Sequence, residues 1–272
     1  MSSLPDTQSQ QDDRQLAIDR VGVRGLRYPV QIREKGGRLQ HTVATVSLAV
    51  DLPHHHKGTH MSRFLEVLNI HGPILDVQSI AALPGELRRR LNAKKAHVEF
   101  RFPFFLEKTA PVTGSRGLLD YQVAFEVNTA AEIDFVVHVE AAVTTLCPCS
   151  KAISARGAHN QRGVVRLSVR FRKPIWIEDL IRLIEGSASS ELYSVLKRPD
   201  EKAVTERAYD NPVFVEDVVR NVATRLGEMS EVIWYHVEAE NMESIHNHQA
   251  FASIEKGHPP AANRKISNQL SE

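Results

Sequence analysis

In His97-Val98-Glu99-Phe100-Arg101-Phe102-Pro103-Phe104, the residues Val98, Phe100, Phe102 and Phe104 alternate with His97, Glu99 and Arg101. That is the period of a half-buried strand. After the turn-rich segment from Pro111 to Gly117, Tyr121, Val123, Phe125 and Val127 alternate in the same way. Two strands in succession, joined by a turn and not by a helix, read as antiparallel neighbours.

Working outward toward the N-terminus, Ala44, Val46, Leu48 and Val50 form a further clean strand pattern, and residues 21–34 an uneven one. Between these strands and Val98 the period changes. Met61, Phe64, Leu65 and Leu68 fall on one helical face, and a second helical stretch, Asp76 to Leu91, is expected to break near Pro84-Gly85. Toward the C-terminus, Ile133, Phe135, Val137 and Val139 alternate, as do Val165, Leu167, Val169 and Phe171. A helix is predicted from Ile177, helical pattern returns at Leu192, Val195 and Leu196, and another helix is predicted to start at Asn211-Pro212. Val215, Val218, Val219, Val222 and Leu226 line one face of that helix, and strand signal resumes over 232–240 and 250–254.

The order strand-strand-helix-helix-strand-strand thus occurs twice, without sequence identity between the halves. It predicts an α+β architecture with antiparallel sheets and helices on one face. The expected modules are 16–130 and 131–256, with disordered ends at 1–15 and 257–272.

The chain of 272 residues is 42% hydrophobic, enough for a large core. Its formal net charge of +1 offers no global field for nucleic acid or a membrane surface. The polar start, Met1 to Arg14, does not read as a secretory signal, and no apolar run approaches a membrane span. The only two cysteines stand in Cys147-Pro148-Cys149, where a disulfide would close almost no chain. A reduced, cytoplasmic protein is expected.

Chemistry concentrates around those cysteines. A Cys147 thiolate with a neutral His159 imidazole makes half of a zinc-type site. The run His54-His55-His56 is expected to face solvent, since consecutive side chains point in different directions. Lys57, Gly58, Thr59, His60 and Arg63 place cations and hydroxyls at a helix start, where free N–H groups favour an anion. Lys197-Arg198-Pro199-Asp200-Glu201-Lys202 reads as a charge-rich connector in which Glu201 could serve a metal and Lys197 and Arg198 a polyanion. Glu216 lies about 100° around its helix from the apolar stripe. Glu243, His246 and His248, at a strand end, suit acid–base work near neutral pH.

Taken together, Lys57-Gly58-Thr59-His60-Met61-Ser62-Arg63-Phe64, Leu146-Cys147-Pro148-Cys149-Ser150-Lys151, Gly157-Ala158-His159-Asn160-Gln161-Arg162, Leu196 to Lys202 and Glu243 to His248 resemble GTP cyclohydrolase type IB. The resemblance runs over roughly residues 16–256. It implies a tunnelling fold of two tandem ββααββ modules, with barrels closed by oligomerisation into a homotetramer whose sites lie between subunits. It implies Cys147, His159 and Glu201 as ligands of one divalent metal ion per site, zinc, manganese or iron. Glu216 would anchor guanine, Lys57, His60, Arg63, Lys197 and Arg198 would face the triphosphate, and Glu243, His246 and His248 would lie near the reacting ring. The implied reaction hydrolyses GTP to 7,8-dihydroneopterin triphosphate and formate: activated water attacks C8, and His246 protonates the ring nitrogen as C8–N9 opens. The product would feed folate, modified tRNA bases or both. Cys149 would tune the metal, shuttle a proton or form a reversible disulfide with Cys147.

Two other readings stand beside this one. A tunnelling-fold, NADPH-dependent nitrile reductase also uses a reactive cysteine, but Cys147-Pro148-Cys149 followed by Gly157-Ala158-His159 argues against it. A non-catalytic metal-binding protein would need neither Glu216 nor the 197–202 block.

Overall fold

The alternation at Val98 to Phe104 is realised as a strand whose Val98, Phe100, Phe102 and Phe104 are all buried, with Glu99 and Arg101 on the other face. The computed structural model describes residues 6–8, 10–129 and 132–257. In chain order the elements are β1 (Ile18–Arg33), β2 (Leu39–Leu52), α1 (Met61–His71), β3 (Ile74–Leu75), α2 (Val77–Leu91), β4 (Ala96–Thr109), β5 (Arg116–Thr129), β6 (Ile133–Leu146), α3 (Pro148–Ile153), β7 (Asn160–Phe171), α4 (Ile177–Glu185), α5 (Arg198–Asp210), α6 (Val215–Gly227), β8 (Val232–Met242) and β9 (Gln249–Gly257). The strands are hydrogen-bonded in the order β3-β1-β2-β4-β5-β6-β7-β8-β9. The β1–β2, β2–β4, β7–β8 and β8–β9 pairs are antiparallel, and the short β3 is parallel to β1. The α+β class expected from the alternation is therefore observed.

Contacts divide the chain into two compact units, Met1–Pro103 with Ala124–Val137, and Phe104–Val123 with His138–Glu272. The division runs through β4, β5 and β6. In the first unit, α1 buries Phe64, Val67 and Leu68 and packs on α2, which buries Ile80, Leu83 and Leu87. Each such side chain contributes about 1.5–3 kcal/mol of transfer free energy. Of the ends expected to be disordered, 1–5, 9 and 258–272 lie outside the described residues. Residues 10–12 are tied to the loop before α1: Asp12 N donates to His55 O at 3.3 Å, and Lys57 N to Gln10 O at 3.1 Å.

In the second unit, α6 lays Val218, Val219, Val222 and Leu226 on β8 and β9, and also meets α4. Leu180, Ile181 and Ile184 of α4 are fully buried, as are Val165, Leu167 and Val169 of β7.

Four local expectations are corrected. Helix α2 runs unbroken through Pro84. Its start is fixed by Asp76, which accepts from Ser79 N at 2.9 Å while Ser79 Oγ accepts from Asp76 N at 3.0 Å, so the one bond Pro84 cannot donate is affordable. Residues 192–196 are not helical; Glu191 and Tyr193 are instead held by ion pairs and hydrogen bonds that override local propensity. The 197–202 block is not a connector, because α5 begins at Arg198 with Pro199 in its first turn. Finally, α6 starts at Val215, where Asp217 Oδ2 accepts from Phe214 N at 3.0 Å. Asn211 is the C-cap of α5, and its Nδ2 donates to Ala188 O at 2.9 Å.

Candidate active site

Strand β6 ends at Leu146, and the next residue, half-buried Cys147, is the N-cap of the six-residue α3. Its Sγ takes the place of a capping oxygen and accepts from Ser150 N at 3.4 Å. Pro148 enters the first turn, and Cys149 follows it, exposed. Past α3, Gly157 adopts φ +122°, a backbone region that side chains rarely reach, and the chain folds back. Cys147 N then donates to His159 O at 3.1 Å, and His159 N to Ser150 Oγ at 3.2 Å. The two candidate ligands are thus stitched together by backbone.

The His159 ring is held from two sides. Its Nδ1 lies 3.0 Å from Gln161 Oε1, and Gln161 Nε2 donates to the buried Thr145 Oγ1 at 2.9 Å. From the β8–β9 turn, Ser244 Oγ stands 3.4 Å and Glu243 Oε2 4.0 Å from the same Nδ1. The structure therefore brings the side chains of His159 and Glu243 together, and joins Cys147 to His159 through the backbone. His246 and His248, on the same turn, are exposed and stacked, with ring centroids 5.0 Å apart and planes 17° from parallel.

Thiolate plus imidazole suits a borderline-soft divalent ion, and occupation of Nδ1 leaves Nε2 free to ligate. Among the described residues, no three His, Cys, Asp or Glu side chains converge to hold one ion. Glu201, exposed in the first turn of α5, is not joined to Cys147 and His159 in a single ligand cluster.

Helix α5 carries the other candidates and is anchored by a residue the sequence reading left without a role. Asp200, fully buried, accepts from Val112 N and Thr113 N, each at 2.9 Å, from Thr113 Oγ1 at 2.7 Å and from Lys197 N at 3.0 Å. This ties the β4–β5 turn to the start of α5 and leaves Lys197, Arg198 and Glu201 exposed around it. Burial pushes the Asp200 carboxyl up, but the hydrogen bonds from Thr113, Lys197 and Val112 outweigh it and hold it well below the usual carboxylate range. A depressed folded-state pKa adds stability that is complete above the ordinary value of 3.8 and is lost as pH falls below it. In Asp200→Asn, protection of the Val112 and Thr113 amides against hydrogen exchange is expected to drop at pH 6–7, and the gap from wild type to narrow progressively as the pH falls below 3.8 toward the lower folded-state value. A gap independent of pH would show that the carboxylate charge does not hold the turn.

Glu216 lies exposed in the first turn of α6, with no hydrogen-bond or ion-pair partner among the described residues. Lys57, His60 and Arg63 belong to the first unit. Lys57 and Arg63 are exposed, and His60, the N-cap of α1, has its Nε2 3.3 Å from Asp6 Oδ2. The histidines before them are ring neighbours, at 5.1 Å for His54–His55 and 4.5 Å for His55–His56. His54 and His55 are exposed, as expected, and His56 is half-buried.

The family model described as type I GTP cyclohydrolase folE2 matches residues 4–252. The chain belongs to the type I GTP cyclohydrolase FolE2 family. A GTP cyclohydrolase FolE2 of Akkermansia muciniphila is 63% identical over 260 residues, covering 94% of this chain and 98% of that one. The FolE2 proteins of Syntrophus aciditrophicus and Methylococcus capsulatus are each 54% identical, covering 92% and 93% of this chain and 99% and 95% of theirs. Among solved structures, a highly active BTUO mutant and a highly active mutant of Bacillus sp. TB-90 urate oxidase superpose with TM-scores of 0.53 and 0.50. Their identities are 7% and 8%, and each match covers 89% of this chain and 100% of that one, so the likeness concerns the tunnelling fold alone.

For this FolE2 chain, the residues the sequence reading missed are Asp200, Gln161 and Thr145. A signal existed for two of them. Proline followed by Asp at a helix start is a capping pattern, and Gln161, two residues past His159 at the head of a strand, lies on the same face. Thr145 had no such signal, because only the folded β6–β7 pair sets it beside Gln161.

Proposed function

We propose that the chain hydrolyses GTP to 7,8-dihydroneopterin triphosphate and formate, the first step of tetrahydrofolate biosynthesis. The observation that carries this reading is the Cys147–His159 pair, with Nδ1 of the imidazole engaged and Glu243 brought against it. One divalent ion, zinc, manganese or iron, would be held by Cys147, His159 and Glu201, and when bound would supply Lewis acidity that lowers the pKa of a water. Glu216 holds guanine by accepting from N1–H and the 2-amino group. Lys197 and Arg198 face the triphosphate, with Lys57, His60 and Arg63 as the weaker cations. His246 gives a proton to the ring nitrogen as the C8–N9 bond opens; His248 and Glu243 flank it, and Cys149 tunes the metal, shuttles a proton or pairs reversibly with Cys147.

Each chain contributes two ββααββ modules, and barrels close by association into a homotetramer with sites between subunits. Exposed Ile153, Met242, Ile245 and Phe251 support burial in such an assembly. The enzyme so proposed works in the cytoplasm, with neither nucleic acid nor membrane as a partner; no described helix is long and apolar enough to cross a membrane.

The test is a fluorescence assay for pterin from GTP, on chelator-stripped protein with single metals added back. Stripped protein is expected to be silent and turnover to return with at least one of zinc, manganese or iron. Silence of folded protein with every ion would sink the cyclohydrolase reading, and NADPH oxidation by a nitrile substrate would replace it with the reductase.

A further inference from the structure

The ring of His159 has three polar neighbours at one nitrogen, and their chemistry differs. Ser244 Oγ stands at 3.4 Å and Glu243 Oε2 at 4.0 Å, both from an exposed or rim position on the β8–β9 turn. Gln161 Oε1 is nearer, at 3.0 Å, and belongs to the sheet. Gln161 is 8% exposed and Thr145, to which its Nε2 donates at 2.9 Å, is 0% exposed. With Nε2 donating to Thr145 Oγ1, the atom that faces the ring is the carbonyl oxygen, which only accepts. In that arrangement Nδ1 carries the ring proton, and Nε2 keeps its lone pair.

We propose that Gln161, braced by Thr145, is a positioning residue that locks His159 in the Nδ1–H form and so presents Nε2 as a preformed ligand. This rests on the metal reading of Cys147 and His159 given above, and adds a role for two buried residues which that reading does not use. The physical gain is preorganisation. A free imidazole must choose a tautomer and a ring rotation on binding, whereas here both are set beforehand by a sheet residue that cannot move without leaving Thr145 unpartnered in the core. The amide is also uncharged. It orients the ring without adding a second carboxylate to the Glu243 that already stands 4.0 Å from Nδ1.

The experiment measures zinc affinity by competition with a chromogenic chelator, in wild type, Gln161→Leu, Gln161→Glu and Thr145→Val. Circular dichroism confirms folding, and GTP turnover is recorded separately. Gln161→Leu is expected to bind zinc ~10–100-fold more weakly, the usual effect of removing a partner of a ligating histidine. Gln161→Glu, which still accepts at Nδ1, is expected to restore most of that loss, and Thr145→Val to fall between wild type and Gln161→Leu. In metal-free wild type labelled at histidine, with His159 assigned by its loss in His159→Gln, ring nitrogen shifts are expected to report the Nδ1–H form. Unchanged zinc affinity in a folded Gln161→Leu, or an Nε2–H ring in wild type, overturns the proposal. If wild type binds no zinc, the metal reading fails, and the ring tautomer still decides the role of Gln161. If Gln161→Leu does not fold, Gln161→Glu and Thr145→Val decide by the same affinities.

Discussion

Glu216→Ala is expected to lower kcat/KM for GTP by ~10²–10⁴ while leaving zinc affinity and folding almost unchanged. The carboxylate sits exposed at the start of α6 without a partner among the described residues, so nothing in this chain depends on it for packing. Its removal forfeits the favourable placement of a negative charge at a helix N-terminus, about 0.3–1 kcal/mol. Against a purine, the same group offers two parallel acceptors to two donors. Hydrogen bonds to a charged partner are worth about 1.5–3 kcal/mol each, which together give the stated loss. Glu216→Gln keeps one acceptor and is expected to fall between the two. Steady-state kinetics with zinc titration on the same samples checks this, and an alanine variant of wild-type kcat/KM would remove Glu216 from the guanine site.

Lys108→Met is expected to cost about 3–5 kcal/mol of stability, the usual result of breaking a buried ion pair from one side. Lys108 Nζ, on β4, donates to Glu185 Oε2 at 2.7 Å and also to Glu191, and only 10% of its side chain is exposed. Glu185 is buried at the end of α4, where its Oε1 accepts from Tyr121 OH at 2.5 Å. Arg207 Nη1, on α5, reaches Glu191 Oε1 at 3.2 Å, and Tyr193 OH donates to the same oxygen at 2.5 Å. Without Lys108, the buried Glu185 and the half-buried Glu191 are left with one remaining cation, Arg207. Burial and the adjacent Glu185 hold the Tyr121 hydroxyl far above the ordinary phenol range, and burial with Glu191 pushes Tyr193 up to about 12, so both stay donors. For Glu191, burial pushes the carboxyl up, but Lys108 and Tyr193 prevail and hold it below its ordinary 4.5. The pair is therefore fully stabilising above that pH and weakens as the pH falls. Urea denaturation is expected to show the largest gap between wild type and variant near neutrality and a smaller one below about pH 4.5. A loss under about 1 kcal/mol at pH 7 would mean that water reaches the network.

These two cases show where sequence reading stops. Glu216 was visible as a carboxylate off the apolar stripe of a helix, because helical geometry assigns faces from spacing alone. The Lys108 network was not visible. Its members lie far apart in the chain, on β4, β5, α4, α5 and the segment between the last two, and nothing local marks Lys108 as different from any other lysine on a strand. The non-helical path of 192–196 follows from that same network, which is why its local period misled. Helix α2, unbroken at Pro84, is a milder case: the sequence counts a missing donor but not the burial of Ile80, Leu83 and Leu87 around it.

By itself, the sequence determined the α+β class, the antiparallel pairing of successive strands and the place of Cys147 and His159 at one loop. Those follow from periods of two and 3.6 and from residue chemistry, which act over a few neighbouring residues. Only the tertiary structure decided which nitrogen of His159 is engaged, that Glu243 meets that ring, and that Asp200 bolts the β4–β5 turn to α5. Each of those depends on partners distant in the chain or on a backbone path set by the sheet. A hydrogen bond is specified by the position of two atoms to within tenths of an ångström, and a sequence pattern carries no information at that scale until the core has packed.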